Sequence, residues 1–247
     1  MNRIKLGILQ VNHDKSIEVG DAFPDDAHRF RDLFDDQDER FCYRVYMTIG
    51  GELPRELDEQ DAYLITGSPL SVLDNHIFST ALADFIRRCD AAKKPLVGTC
   101  FGHQAIALAL GGKVERSQSS YNVGIEETTF HATRPWMNPQ HSSLSMYVFH
   151  EDHVTALPAD CDLLGSSSNC QLASFAKGDH IFTTQAHPEF TEPFMNCVLD
   201  YVESKTDTGT DSKTDSKRMF ATARASLRAA EQGDIFARWC TNFFKRS

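Results

Sequence analysis

Apolar residues recur along this chain in short runs separated by amphipathic stretches, and the alternation predicts strands and helices in turn. Residues 4–11 (Ile-Lys-Leu-Gly-Ile-Leu-Gln-Val) are almost wholly apolar, as a strand covered on both faces of a parallel sheet requires. Residues 20–34 read as a loop and then a helix carrying Phe30, Leu33 and Phe34 on one face, and strands follow at 41–48 and 62–66. Residues 77–91 return to helical spacing, with Phe78, Leu82, Phe85 and Ile86 turned toward a core. The chain then passes through Lys93-Lys94-Pro95 into a further apolar run ending at Thr99. A helix of Ala, Leu and Ile follows and is closed by Gly111 and Gly112, and a short strand leaves it at 112–116. Strands are also predicted at 126–130, 163–168, 172–176 and 181–185. Repeated strand–helix–strand crossovers give a parallel sheet with helices on both faces, an α/β architecture.

The tail breaks this rhythm. Residues 203–217 are polar, internally repetitive and free of apolar side chains, which predicts a mobile surface segment. Helical periodicity resumes at Met219, Phe220, Ala223 and Leu227, and again at Ile235, Phe236, Trp239 and Phe243, so 218–247 reads as C-terminal helices packing back on the sheet. With 247 residues, 41% of them hydrophobic, residues 1–247 are expected to form a single large domain.

Charge and cysteine usage narrow the setting. A net charge of -10 argues against nucleic acid or an anionic membrane as a main partner, because phosphate binding needs clustered Lys and Arg. The seven cysteines are scattered and form no CxxC pair, which fits a reducing cytoplasm better than a disulfide framework or a zinc ribbon. The first residues lack the apolar core of a signal peptide, and no apolar stretch approaches the length of a membrane span. The acidic run at 35–39 reads as a solvated turn. His150-Glu151-Asp152-His153 groups imidazoles with carboxylates, yet no Cys or His partner stands at a recognisable ligand spacing, so structure or substrate contact is the expectation. Nothing in the sequence calls for a metal or an organic cofactor.

Chemistry concentrates at two places. In Gly98-Thr99-Cys100-Phe101-Gly102-His103-Gln104 a cysteine stands at the corner between strand and helix, framed by glycines. This is the logic of a nucleophile elbow, a turn tight enough to lift one side chain above the sheet. A helix starting at Phe101 points its free N–H groups toward the sulfur and favours a thiolate. The alternative is a buried structural cysteine, a common fate of this residue. A cysteine nucleophile needs a base, and the base needs an orienting group. His187-Pro188-Glu189, just past the last predicted strand, offers both, since residues two apart in extended chain face the same side.

These two motifs together resemble the class I, triad-type glutamine amidotransferase family, and more specifically its free-standing GMP synthase-like domains. Asp61-Ala-Tyr-Leu-Ile-Thr-Gly67-Ser68-Pro69 resembles the strand and oxyanion loop of that family, and residues 149–158 resemble a segment of its free-standing members. The resemblance covers about residues 50–195. It implies a three-layer, flavodoxin-like, mostly parallel sheet and a catalytic triad of Cys100, His187 and Glu189. It further implies that the N–H groups of Ser68, next to Gly67, and of Phe101 hold an oxyanion, with Gln104 fixing the site or the substrate. Many members carry glycine where this chain has Ser68; the N–H is kept. Ser119 to Ile125, and within it Asn122, Val123 and Gly124, fall where members hold the amino-acid end of glutamine with backbone groups, although the aromatic or acidic residues often found there are absent, and the stretch could equally be a strand leading into 126–130. The implied reaction is cysteine-dependent hydrolysis of the side-chain amide of glutamine, or of a γ-glutamyl small molecule, through a γ-glutamyl thioester. Two recipients of the chemistry stay open: a separate synthase subunit that takes up ammonia, or water alone in a self-contained hydrolase. A non-catalytic binding member of the fold is the remaining alternative, against which the intact triad speaks.

Overall fold

In the computed structural model, which describes residues 3–117, 121–206 and 213–245, the strand sequences dictate a two-sided core. β1 (Ile4–Leu9) buries every residue except Lys5. β3 (Ala62–Ile65), β4 (Leu96–Thr99) and β11 (Ile181–Thr184) are buried throughout. Alternate residues point to opposite faces. Leu6, Ile8, Leu64, Val97 and Phe182 pack on α1 (Asp26–Asp35) and α6 (Gly233–Phe244) through Phe30, Phe34, Phe236, Trp239 and Phe243. Their neighbours Leu9, Tyr63, Ile65, Leu96 and Ile181 pack on α2 (Ser79–Ala92) and α3 (Phe101–Ala109) through Leu82, Phe85, Ile86, Phe101 and Ile106. Helix, sheet and helix thus form three layers.

The sheet is nine-stranded among the described residues and mixed, which corrects the expectation of a mostly parallel one. From one edge, β2 (Phe41–Tyr46), β1, β3, β4 and β11 run parallel. Beyond β11, each successive pairing is antiparallel: β10 (Ser174–Lys177), β9 (Asp162–Ser166), β6 (Asn122–Phe130) and β7 (Ser143–His150). The cause lies in the connections. Parallel neighbours need a crossover, usually helical, and among the described residues no helix stands between α3 and β11. β5 (Lys113–Arg116) and β8 (Asp152–Ala156) leave the main sheet to form an antiparallel pair of their own.

Gly102 sets how closely α3 approaches the sheet. A Cβ there would lie 2.4 Å from the Ile65 carbonyl oxygen, so only glycine lets the first turn of the helix rest on the strand backbone.

α4 (Glu192–Thr206) and α5 (Lys213–Ser226) close one end of the molecule, where Phe194, Met195 and Leu199 meet Phe220 and Ala223. The segment expected to be mobile at 203–217 is therefore helical over 203–206 and 213–217, while 207–212 lie outside the described residues. A polar stretch can form the outer face of a helix pair, and here Arg224 ties the two together through Asp200 (2.6 Å) and Glu203 (3.0 Å). Among the described residues no helix is long and apolar enough to cross a membrane.

Candidate active site

Cys100 is the corner residue between β4 and α3, with φ 47° and ψ -104°. A side chain other than glycine in that region costs about 1–3 kcal/mol and persists only where its surroundings impose it. Here the Cys100 N–H donates to the Thr184 carbonyl of β11 at 2.9 Å, and its carbonyl accepts the Gln104 N–H at 3.1 Å, so strand and helix grip it from both sides. The sulfur lies 3.9 Å from the Phe149 carbonyl oxygen.

His187 stands three residues past β11, its N–H donating to the Tyr147 carbonyl at 2.8 Å. Its Nδ1 bonds Glu189 Oε1 at 2.8 Å, and both side chains are buried. Phe190 stacks on the ring with centroids 4.0 Å apart. The imidazole also interacts with Cys100. Burial alone would drive its pKa down, but the negative charges of the Cys100 sulfur and the Glu189 carboxylate, and its hydrogen bonds to both, push it up to about 10. Gly67 lies flat against the ring: a Cβ there would stand 2.5 Å from His187 Cε1 and 3.6 Å from Cys100 Cβ. Sulfur, imidazole and carboxylate therefore form one contiguous group.

A cleft of about 380 Å³ opens over this group, and Gly67, Ser68, Cys100, Gln104 and His187 line it. Ser68 accepts the Leu70 N–H on its Oγ at 3.2 Å, and Phe101 is buried at the start of α3. Gln104 Nε2 donates to the Asp152 carbonyl at 2.6 Å and to Gln185 Oε1 at 3.1 Å, fixing the cleft floor.

Asn122, Val123 and Gly124 open β6, the strand alternative for this stretch, and are not among the residues lining the cleft. β6 pairs with β7 along its length, and α5 covers this strand. Asn122 Nδ2 bonds Glu126 and His150, Val123 joins the apolar cluster under α4 and α5, and Gly124 abuts Ala223 and Ser226. Ser119 and Ser120 lie outside the described residues.

The cleft instead draws on residues the sequence reading did not single out. Asp26 and Arg29 pair on the first turn of α1, Asn12 Nδ2 donates to Asp26 Oδ2 at 2.7 Å, and the guanidinium lies 3.9 Å over the Phe194 ring. Burial, then the neighbouring Glu189 charge, raise the Asp26 pKa against the opposing pull of Arg29. The cleft is also lined by Asp74 and Arg116, by Tyr121 of the 119–125 stretch, and by Glu151 and Asp152 of the 150–153 cluster, for which the sequence led to an expectation of structure or substrate contact. An i, i+3 pair on an amphipathic helix carries no sequence mark of a cleft, and Arg116 reaches the cleft only because β5 pairs with β8.

Two further histidines are held neutral. Burial, with His150 nearby, lowers His103 to about 3, and burial lowers His150 to about 4. In the unfolded chain both protonate near the ordinary 6.5. Between about pH 6.5 and 4 the unfolded state thus binds more protons, and stability falls with acidification by up to about 1.4 kcal/mol per pH unit per histidine. Urea denaturation at pH 7 and pH 5 should show this loss, and His103→Gln should flatten it. His187 has the opposite sign: its contribution is full below 6.5 and is lost as pH rises through about 10.

The comparisons with known proteins define the class. Residues 44–195 match the class-I glutamine amidotransferase model, and the chain belongs to that family. It is 28% identical to gamma-glutamyl peptidase 3 of Arabidopsis thaliana over 211 residues, 81% of this chain and 82% of that one. It is 27% identical to the glutamine-hydrolyzing GMP synthase of Phocaeicola vulgatus over 151 residues, which are 58% of this chain but 28% of that enzyme. The crystal structure of a glutamine amidotransferase from Thermotoga maritima superposes with a TM-score of 0.70, covering 100% of this chain and 98% of that one at 16% identity, a likeness of fold.

Proposed function

We propose that this chain hydrolyses the amide bond of γ-glutamyl compounds through a thioester on Cys100. The observation that carries the proposal is the buried His187 to Glu189 bond of 2.8 Å placed against the Cys100 sulfur at a strained strand–helix corner, which supports reading the turn as a nucleophile elbow and the layers as flavodoxin-like. The thiolate attacks the γ-carbonyl carbon. The oxyanion that forms is met by the N–H of Ser68 and that of Phe101, which as the first residue of α3 has no acceptor within its helix. His187, protonated, gives its proton to the departing amine. Water then attacks the thioester, returns a proton to His187 and releases the γ-glutamyl acid and the thiolate. Glu189 holds the imidazole tautomer and balances its charge. None of these steps draws on a metal or organic cofactor.

The cleft favours an amine larger than ammonia. It runs past Cys100 to a wall of α4 built from Phe194, Val198, Tyr201 and Val202, space that ammonia alone does not need. The relatedness to gamma-glutamyl peptidases over most of both chains supports the same reading. Delivery of ammonia to a separate synthase subunit is the second reading, supported by the match to one part of a GMP synthase. The unpaired cysteines suit a cytoplasmic setting.

The test presents the protein with L-glutamine and a series of γ-glutamyl amides of increasing apolar size, quenches the reaction and weighs the Cys100 peptide. A γ-glutamyl adduct on Cys100, with kcat/KM higher for the larger amides than for glutamine, is the expected result. Absence of any adduct rejects the proposal, and turnover of glutamine alone that rises when a synthase is added selects the second reading.

A further inference from the structure

Glu189 holds the His187 imidazole at its edge and Phe190 backs its face, and what holds Phe190 lies outside the triad. Phe190 sits in the bend between His187 and α4, where its N–H donates to the His187 carbonyl over a long 3.5 Å, so ring contacts fix it more than backbone bonds do. Phe194 meets it edge-on with centroids 4.6 Å apart, and Tyr147 lies at 6.5 Å. The Arg29 guanidinium rests on this pair of rings, its Cζ 3.9 Å from the Phe194 centroid and 5.6 Å from that of Phe190.

Arg29 is itself anchored. Its terminal nitrogens donate to the Pro24 carbonyl and to the Asp26 carboxylate, and Asn12 Nδ2 donates to the second oxygen of Asp26 at 2.7 Å. The Arg29 and Asp26 side chains are 9% and 4% exposed. Among the described residues Arg29 Nε is buried without an acceptor, so the flat face on the rings, and not a full set of N–H bonds, decides where the group sits. Charges alternate through the cluster. The Cys100 sulfur and Glu189 act on His187, Asp26 interacts with Glu189 and His187 and is balanced by Arg29, and the neutral His150 is the further titratable group near the imidazole.

We infer that Arg29 is a positioning residue: its guanidinium packs Phe194 and Phe190 so that Phe190 keeps the His187 imidazole against the Cys100 sulfur. The inference rests on the hydrolase reading above for the reaction served, and on these contacts for the position maintained. A cation over a ring face is attracted by the ring quadrupole, more strongly where water is excluded, and this cation is nine-tenths buried. Methionine would fill the space with neither charge nor plane, leaving Phe190 freer and the imidazole without firm backing. Lysine keeps the charge beside Asp26 but not the plane.

The test measures turnover of γ-glutamyl methylamide, chosen for its small amine, and the rate at which iodoacetamide alkylates Cys100 at neutral pH without substrate. Arg29→Met is expected to lower kcat by about 10-fold with KM changed less than about threefold, and to slow alkylation by a similar factor. Arg29→Lys should recover part of both losses. A merely structural role would lower the melting temperature and leave both rates, taken well below it, unchanged. Arg29→Met strands the buried Asp26 carboxylate, so it is paired with the double variant Arg29→Met, Asp26→Asn, which removes both charges and carries the test if the single variant unfolds. The double variant should show the same losses. Rates in it within about twofold of the unaltered protein overturn the inference even if Arg29→Met alone is slow, because the bare carboxylate is then the cause. Slowed alkylation in the double variant, with no turnover of any γ-glutamyl amide by the unaltered protein, rejects the hydrolase reading and retains the positioning role. Turnover by the unaltered protein with no slowing in the variant does the reverse.

Discussion

Cys100→Ala is expected to lower amide hydrolysis by about 10⁴-fold or more while leaving the protein folded. In the proposed mechanism the sulfur is the atom that bonds the acyl group, so no remaining group can replace it as nucleophile. Oxyanion donors and substrate contacts survive the change and account for whatever residual rate is seen. The fold should tolerate it, because alanine is close to cysteine in size and the corner is held by backbone bonds to Thr184 and Gln104. His187 is the residue that responds: without the sulfur it loses one of the negative charges that raise its pKa. Amine release together with a melting curve checks both halves. Turnover comparable to that of the unaltered protein would remove the thioester mechanism.

The second large effect comes from a residue with no reactive group. Gly67→Ala places a methyl 2.5 Å from His187 Cε1 and 3.2 Å from Nδ1. The ring cannot easily retreat, since Phe190 stacks on it at 4.0 Å and Glu189 holds Nδ1 at 2.8 Å. Either the Glu189 bond or the contact with sulfur gives way. A misplacement of about 1 Å at a reacting group costs on the order of 10²-fold, so kcat should fall by about that factor with KM changed far less. Alkylation of Cys100 by iodoacetamide at neutral pH should slow in parallel. An unchanged kcat would show that the imidazole does not work from the observed position.

How much of this was readable from the chain depended on whether the information was local. Cys100, His187 and Glu189 were legible because each sits just past a strand end within a short motif whose glycines or proline constrain the backbone. The buried strands around them were legible as apolar runs. The direction of β10, β9, β6 and β7 was not, because apolar periodicity is the same for either direction and only the missing helical crossovers distinguish them. Whether Asn122, Val123 and Gly124 meet a substrate or only form a strand could not be read locally either, because the packing of β6 is set by α5, contributed by sequence about a hundred residues away. The polar stretch at 203–217 lacked an apolar stripe at its centre, yet its two ends extend helices whose buried faces lie outside it. Arg116, Asp26 and Arg29 carried no pattern at all until tertiary pairing brought them to one cavity.

The strands that precede Cys100 and His187 are next to each other, with Thr99 opposite Thr184 and the ladder extended by one more bond to the Cys100 amide. The backbone that sets the spacing of Cys100 and His187 therefore belongs to two strands buried throughout, the kind of element expected to open last. Openings at the β2 edge would leave that spacing in place, whereas openings at β7 or α4 would free the His187 ring, which is held by Tyr147 and by Phe190 packed on Phe194. Activity lost during heating or denaturant titration before the central strands melt should therefore report opening of β7 or α4.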